Sequence, residues 1–186
     1  MIKELLKKIE IGIVKKQDTS ENLVKLAYLA IGSNLGNKNN NIELAKLELI
    51  KYKIIILKSS SSYISKSWPD NTKPNYINVV IKVETNLEPI DLLKICNKIE
   101  LKLGRIRKKI NAPRTCDIDI IDYDKKIINK NNHQLILPHP RMDKRNFVLL
   151  PLFEIEKSWK HPKSQINIVN LINSLRVKDL RSIKQL

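Results

Sequence analysis

The sequence predicts an α+β protein built on a ferredoxin-like β-α-β-β-α-β sandwich, with additional C-terminal elements. Strand-like patterns occur at residues 26–31, 54–57, 76–83 and 115–122, and helix-like patterns occur in two of the intervals between them. The resulting order is strand, helix, strand, strand, helix, strand, which is the order of that sandwich. The prediction therefore depends on the sequence of elements as well as on each local pattern.

The first strand and helix follow from one apolar run and the spacing after it. Residues 26–31 are continuously apolar, and residues 32–36 bring two glycines, a serine and an asparagine, so a buried strand should end in a turn. Apolar residues then recur at helical spacing, at Ile42, Ala45 and Leu49. A second strand is expected from residue 54 and should continue toward Tyr63.

Residues 65–75 contain Ser, Trp, Asp, Asn and two prolines, and they predict a loop. The strand after it alternates, which gives it two different faces. One face carries Ile77, Val79, Ile81 and Val83. The opposite face carries Tyr76 and Asn78, so we expect these two side chains to lie side by side.

The second helix is predicted between Pro89, which suits a first turn, and Gly104, which suits a helix end. A strand at 115–122 and a turn at Asp124 and Lys125 follow. A short strand at 135–137 and helices at 147–155 and 168–175 complete the pattern. We divide the chain into an N-terminal extension at 1–25 (a short amphipathic helix or a disordered segment), one domain at 26–176 and a tail at 177–186.

The composition is basic but does not by itself identify a partner. There are 35 basic and 19 acidic residues, for a formal net charge of +16. Nucleic acid or another polyanion is one interpretation of such a charge. The lysines are scattered through a chain rich in Asn and Ile, which favours a compositional origin. Without a signal peptide or a membrane-spanning run, and with two cysteines expected to stay reduced, we expect a cytoplasmic protein.

The acidic strand carries the strongest local signal for chemistry. Asp117 and Asp119 are two residues apart, so they share one face, while Cys116, Ile118 and Ile120 face the core. Two carboxylates on one face repel each other unless a cation neutralises them, and Mg²⁺ is commonly bound by one or two carboxylates plus substrate phosphates. A solvated strand face is the alternative, and this pattern alone does not decide between them.

Arginine is concentrated around this strand. Five of the seven arginines fall between residues 105 and 145, together with His139. Guanidinium groups bind phosphates in a planar, two-pronged manner. The chain has no glycine-rich phosphate loop, so side chains and metal would have to hold the phosphates. A structural role is the more common one for a single histidine, but two nearby arginines favour a phosphate contact for His139.

Five segments closely resemble the motifs of the 6-hydroxymethyl-7,8-dihydropterin pyrophosphokinase family, in order and in spacing. They are residues 30–36 (AIGSNLG), 104–107 (GRIR), 113–120 (PRTCDIDI), 138–142 (PHPRM) and 145–152 (RNFVLLPL). The likeness extends from about residue 26 to about residue 175. Several ordered motifs are far more specific than one.

The resemblance implies pyrophosphoryl transfer from ATP to 6-hydroxymethyl-7,8-dihydropterin, with release of AMP, in folate biosynthesis. It implies two Mg²⁺ ions held by Asp117 and Asp119, and a catalytic set formed by these aspartates with Arg105 and Arg114. The implied ATP-binding residues are Asn97, Glu100, Arg105, Arg107, Arg114, Ile120, His139 and Arg145. The implied pterin-binding residues are Asn34, Ser65, Tyr76, Asn78 and Phe147.

The pterin assignment agrees with the strand pattern, because Tyr76 and Asn78 supply a stacking surface and a hydrogen-bonding group on one face. Core packing is the alternative role for Phe147. The chain departs from the family pattern at Asn111, in a shorter loop where many members have a tryptophan. It departs again at 65–69, where Ser-Lys-Ser-Trp-Pro stands in place of the usual Thr-Pro.

Two other classes of function compete with this interpretation. An RNA-binding module on a ferredoxin-like sheet would suit the charge, but only 5% of the chain is aromatic and the acidic strand would repel a phosphate backbone. An interaction protein that has lost catalysis would not need the aspartates, arginines and histidine. We therefore expect small-molecule substrates, no nucleic acid, no membrane and a monomer.

Overall fold

The computed structural model describes residues 24–67, 70, 72–105, 112–129 and 135–186. The predictions made for most of the N-terminal extension, for Arg107 and for Asn111 lie outside these residues. In chain order the elements are β1 (Lys25–Ser33), α1 (Lys38–Lys51), β2 (Ile55–Ser59), β3 (Tyr63–Ser65), β4 (Tyr76–Thr85), α2 (Pro89–Lys102), β5 (Asp117–Tyr123), a 3₁₀ turn (Met142–Lys144), α3 (Asn146–Ile155), α4 (Ile168–Asn173), α5 (Val177–Leu180) and β6 (Ile183–Gln185).

The strands form one six-stranded antiparallel sheet. Its order is β5-β1-β4-β3-β6, and β2 pairs with β4 on the same side as β3. The predicted second strand is therefore two short strands. Between them Ser60 donates its backbone N–H to Val80 O at 2.9 Å, and its hydroxyl accepts the Val80 N–H at 3.0 Å, which satisfies the backbone across the break.

Each face of the sheet is covered by its own helices, as an α+β class requires. On one face, Ile77, Val79, Ile81 and Val83 belong to a core that includes the buried residues of α1 and α2. On the other face, Val80 packs with α3, α4 and Trp159. The predicted alternation of β4 is therefore confirmed, and it leaves Asn78 on the face opposite the α1–α2 core.

The C-terminal residues are part of the sheet and not a tail. Here β6 pairs with β3, and Leu186 donates its N–H to Ser62 O at 2.9 Å. The Asn146 amide donates to Asp179 O and, at 3.1 Å, to the Ser182 hydroxyl. These contacts join the last residues to the start of α3. The predicted short strand at 135–137 is reduced to one bridge, between Ile128 and Leu137.

The pairing of β1 with β5 contains an irregularity. Leu29 pairs with Ile120, but Tyr28 pairs with Asp122, so Ile121 is an extra residue on β5. Asp122 is 1% exposed and accepts the Trp159 indole N–H at 2.9 Å. Burial raises the pKa of this carboxyl, and hydrogen bonds from Trp159 and nearby backbone oppose that rise. Among the helices that the structure describes, none has the length and apolarity needed to cross a bilayer.

Candidate active site

Asp117 and Asp119 stand on one face of β5, as the strand period predicts. Cys116, Ile118 and Ile120 lie in the core beneath the opposite face. The two carboxylate side chains are 25% and 35% exposed, so they remain accessible from outside while their strand is fixed by the core. The sequence-based prediction of a paired carboxylate face is therefore confirmed in geometry.

Arginines neutralise both aspartates. Arg105 Nη1 lies 2.6 Å from Asp117 Oδ1, and Arg114 Nη1 lies 3.0 Å from Asp117 Oδ2. Arg145 Nη1 lies 2.9 Å from Asp119 Oδ2. The repulsion expected between the carboxylates is thus offset by guanidinium groups from three different segments of the chain.

Glu100 connects the end of α2 to the acidic strand. Its Oε1 accepts the Ile118 backbone N–H at 2.7 Å and also forms an ion pair with Arg105. Burial raises the pKa of Glu100, and the Ile118 and Arg105 contacts oppose that rise. Gly104 has φ of +84°, a conformation that favours glycine, and the chain turns there to bring Arg105 back toward Asp117.

His139 faces the same carboxylates. Its Nε2 lies 3.7 Å from Asp119 Oδ2, and its Nδ1 accepts the Arg141 backbone N–H at 3.1 Å. The shorter Nδ1 contact selects the neutral tautomer with its proton on Nε2, so Arg145 Nη1, which lies 3.5 Å from Nε2, is a neighbour of the ring and not a hydrogen-bond donor to it. Burial lowers the pKa of His139, which favours this neutral form. The imidazole is therefore arranged as a hydrogen-bond donor beside Asp119.

Asn34 holds two loops together at the edge of the site. Its backbone N–H donates to Arg114 O at 3.1 Å, and its Oδ1 accepts the Arg114 N–H at 2.7 Å. Its Nδ2 donates to Pro74 O at 3.2 Å. A residue that the sequence interpretation did not single out, Asn41, fixes this turn by donating to Ser33 Oγ and Leu35 O. In the sequence, the only sign of this role is the position of Asn41 at the start of α1, directly after the turn that it stabilises.

Three of the five predicted pterin residues, Ser65, Tyr76 and Asn78, lie together at the N-terminal end of β4. Asn78 Nδ2 donates to Ser65 Oγ at 2.9 Å, and Tyr76 pairs with Ser65 across β3. Gly32 lies beneath them: a Cβ there would stand 3.3 Å from Asn78 Oδ1 and 3.6 Å from the Tyr76 ring, so glycine permits this close approach.

Phe147 is half-buried at the start of α3, where it packs against the α3–α4 core, so packing accounts for part of its environment. The guanidinium of Arg145 lies 5.5 Å from the centre of its ring. This contact joins the aromatic group to the carboxylate side of the site.

Two predicted ATP-binding residues lie away from the carboxylate face. Ile120 is 3% exposed, so its side chain belongs to the core. Only its backbone is left for a ligand. Ile118 directs its N–H off the edge of β5 toward Glu100, and Ile120, two residues further along the same strand, shares that direction. Asn97 is half-buried on α2, the helix that also carries Glu100.

The donor set fits a hard cation only in part. Among the described residues, no group of three or more His, Cys, Asp or Glu side chains is arranged to hold a metal. Mg²⁺ is nevertheless commonly bound by only one or two protein carboxylates when substrate phosphates supply the other oxygen ligands. The residues present therefore fit Mg²⁺ that arrives together with a phosphorylated ligand.

The sheet and this site place the chain among α+β proteins that carry a carboxylate pair surrounded by arginines, a set of groups suited to a phosphorylated ligand. Comparison with known proteins identifies the family. The chain belongs to the 7,8-dihydro-6-hydroxymethylpterin-pyrophosphokinase (HPPK) family, whose model matches residues 28–157.

Individual relatives agree. The 2-amino-4-hydroxy-6-hydroxymethyldihydropteridine pyrophosphokinase of Haemophilus influenzae is 39% identical over 141 residues, which are 75% of this chain and 87% of that protein. The folic acid synthesis protein fol1 of Pneumocystis carinii is 36% identical over 171 residues, or 91% of this chain and 22% of that protein. The chain thus spans about a fifth of the length of such folic acid synthesis proteins.

A solved structure shares the fold. Wild-type Plasmodium falciparum HPPK-DHPS, crystallised with pteroate, aligns with a TM-score of 0.68 at 15% identity. The alignment covers 87% of this chain and 46% of that one.

Proposed function

We propose that this protein transfers the pyrophosphoryl group of ATP to 6-hydroxymethyl-7,8-dihydropterin and releases AMP, as a step of folate biosynthesis. The observation that carries the proposal is the Asp117–Asp119 pair with an arginine against each carboxylate. Family membership and the names of the relatives support the same reaction. We also infer a ferredoxin-like core, because β5, β1, β4 and the β2–β3 pair follow the spatial order fourth, first, third, second.

We assign two Mg²⁺ ions to Asp117 and Asp119. When bound, the ions would neutralise charge that develops on the triphosphate during transfer. Arg105, Arg114 and Arg145 form ion pairs with three carboxylates, those of Asp117, Asp119 and Glu100. Triphosphate entry would let the guanidinium groups donate to phosphate oxygens while the aspartates turn to the cations, so every charge keeps a partner.

The other ATP-binding residues that the structure describes are assigned as follows. Neutral His139 donates from Nε2 to a phosphate oxygen, a role consistent with its Nδ1 contact. The adenine lies along the open edge of β5, where the backbone of Ile120 offers a donor and an acceptor. Asn97 and Glu100 border that edge from α2.

The pterin lies between Tyr76 and Phe147, with its hydrogen-bonding edge toward Asn78 and Ser65. Asn34 supports the site by fixing the Arg114 loop. The pterin hydroxymethyl oxygen attacks the β-phosphorus, a new O–P bond forms, and the bond to the α-phosphate oxygen breaks to give AMP. The hydroxymethyl proton leaves to solvent or to a phosphate oxygen.

A nucleotide-product assay tests this function. Purified protein with ATP, Mg²⁺ and the hydroxymethyl-dihydropterin should form AMP in step with pterin consumption. ADP as the stoichiometric product, or nucleotide turnover that does not depend on pterin, would exclude the proposal. The RNA-binding alternative gains no support from the comparisons. A monomer and a cytoplasmic location stay predictions, open to sedimentation and to localisation of the tagged protein.

A further inference from the structure

Thr115 carries a hydroxyl that nothing described so far uses. Among the residues that the structure describes, its Oγ1 is the buried side-chain polar atom that lacks a hydrogen-bond partner. Buried polar atoms are almost always satisfied, and leaving one unsatisfied costs free energy of folding. A valine would fill the same volume without that cost. A hydroxyl kept at this position therefore calls for a functional explanation.

The position of Thr115 points to the site. Cys116 is 1% exposed in the α1–α2 core, and the alternation continues through Ile118. Thr115 lies at a bend two residues before β5 begins, and Arg114 and Asp117 on either side of it meet in an ion pair at the site. The backbone just before it is fixed, because Arg114 both donates its N–H to Asn34 and accepts the Asn34 N–H.

Within the part of the chain that the structure describes, Thr115 Oγ1 has no acceptor within hydrogen-bond distance. The guanidinium of the neighbouring Arg114 is a donor only, and it is directed at Asp117. A phosphate oxygen would be a strong acceptor at this place. Rotation of a threonine about χ1 by about 120° moves the hydroxyl into the position of the methyl group and the methyl group into that of the hydrogen, so the donor can change direction without movement of the backbone.

We propose that the Thr115 hydroxyl donates a hydrogen bond to a phosphate oxygen of the bound nucleotide, and so is a further nucleotide-binding residue of the site. This inference rests on the proposed function, because it takes the ligand of this face to be a Mg²⁺–nucleoside triphosphate. It predicts an unusual combination of effects: removing the hydroxyl should weaken nucleotide binding without destabilising the free protein.

Thr115→Val and Thr115→Ser separate these effects, and Thr85→Val is a matched control. Thr85 is also buried, at 3% exposure, but its hydroxyl accepts the Leu87 N–H at 3.1 Å, at the end of β4 opposite to Tyr76 and Asn78. Calorimetric binding of Mg²⁺ with a non-hydrolysable ATP analogue gives the affinity, and thermal melts without ligand give the stability.

For Thr115→Val we expect an unchanged or higher melting temperature and an affinity for the analogue about tenfold weaker, the loss typical of one hydrogen bond to a charged group. Thr115→Ser should bind within about twofold of wild type. Thr85→Val should show the reverse pattern, a lower melting temperature with unchanged affinity. If Thr115→Val does not fold, Thr115→Ala removes the same hydroxyl.

Unchanged affinity in the folded Val or Ala variant would overturn the proposal, and so would an affinity loss that Ser does not restore. Wild-type protein that binds the analogue but forms no AMP would refute the proposed function and leave the Thr115 result to stand on binding alone. Wild-type protein that does not bind the analogue would refute both.

Discussion

Arg145 Nη1 donates to Asp119 Oδ2 at 2.9 Å, and this ion pair joins the start of α3 to the face of β5. The two residues are 26 positions apart and belong to adjacent layers of the fold, the sheet and the helices that cover one of its faces. The same guanidinium lies over the Phe147 ring. One arginine therefore connects the carboxylate that we assign to Mg²⁺ with the aromatic group that we assign to the pterin.

Asp117→Asn and Asp119→Asn should each lower turnover by at least about a hundredfold, the loss typical when one electrostatic group of an active site is removed. Each change keeps size and shape but removes a charge. Because each aspartate has an arginine partner, we expect only a small change in melting temperature, and not the gain that unrelieved repulsion would predict. Turnover against Mg²⁺ concentration, with thermal melts as the folding control, measures both. Near-normal activity at low Mg²⁺ in both folded variants would mean that this face is merely solvated.

Arg145→Lys should lower kcat/KM by about tenfold or more although the positive charge is kept. Lysine lacks the planar fork that can hold Asp119 or a phosphate while stacking on Phe147. Lys144→Arg, at an exposed neighbouring position, is a control for altered basic side chains. Steady-state kinetics with each substrate varied in turn supply the measurement. Equal kcat/KM for Arg145→Lys and wild type would show that charge alone matters here.

Deletion of residues 1–22 should leave turnover within about a few-fold of the full chain. The family model begins matching at residue 28, and each proposed site residue lies downstream of the deletion. The comparison needs truncated and full-length protein of equal melting temperature. Activity lower by a hundredfold, on the order of 3 kcal/mol in the barrier, would mean that the extension completes the site.

Glu156→Gln should destabilise the protein near neutral pH, and the effect should vanish in acid. Hydrogen bonds from Lys82, at 2.8 Å, and from Ser158 lower the pKa of Glu156 to about 2 from an ordinary value near 4.5. A lowered pKa stabilises the fold above the unfolded value, and that stabilisation is lost as the pH falls through the folded value. The difference in free energy of unfolding should therefore be complete at pH 6 and shrink between about pH 4.5 and 2.

Urea unfolding of wild type and Glu156→Gln across this pH range checks the sign. Glu43→Gln is the control, because its partner Lys46 forms an ordinary helix-surface pair that should contribute little. A difference for Glu156→Gln that grows as the pH falls would contradict the assignment of its pKa.

Local patterns predicted the parts of the fold and site that depend on neighbours along the chain. The alternation of side chains along a strand placed Asp117 and Asp119 on one face and Ile118 in the core. The same alternation placed Asn78 and Val79 on opposite faces of β4. These predictions succeed because side-chain direction in a strand is fixed by the backbone alone.

Contacts between distant segments could not be predicted in this way. The addition of β6 to β3 joins Ile183 to Ser65, which are far apart along the chain, and the Asn146 contact that tethers β6 spans 36 positions. The sharing of Arg105 between Glu100 and Asp117 depends on how α2 meets β5. A one-residue irregularity such as that at Ile121 leaves no local signal, because its sequence is as apolar as a regular strand.

That irregularity has a consequence for the cation. It turns Asp122 onto the face of Asp119, because their partners Tyr28 and Ala30 on β1 are two residues apart. The Trp159 indole engages the Asp122 carboxylate, which leaves Asp117 and Asp119 for an ion. Two carboxylates alone bind a hydrated divalent ion weakly, so the remaining oxygen ligands must come from the triphosphate and from water. Metal and nucleotide should then bind with reciprocal coupling, each raising the affinity for the other by the same factor. In such a site most of the oxygen ligands of the metal would come from the nucleotide and water. The free protein should therefore bind Mg²⁺ only weakly, even at high Mg²⁺ concentration.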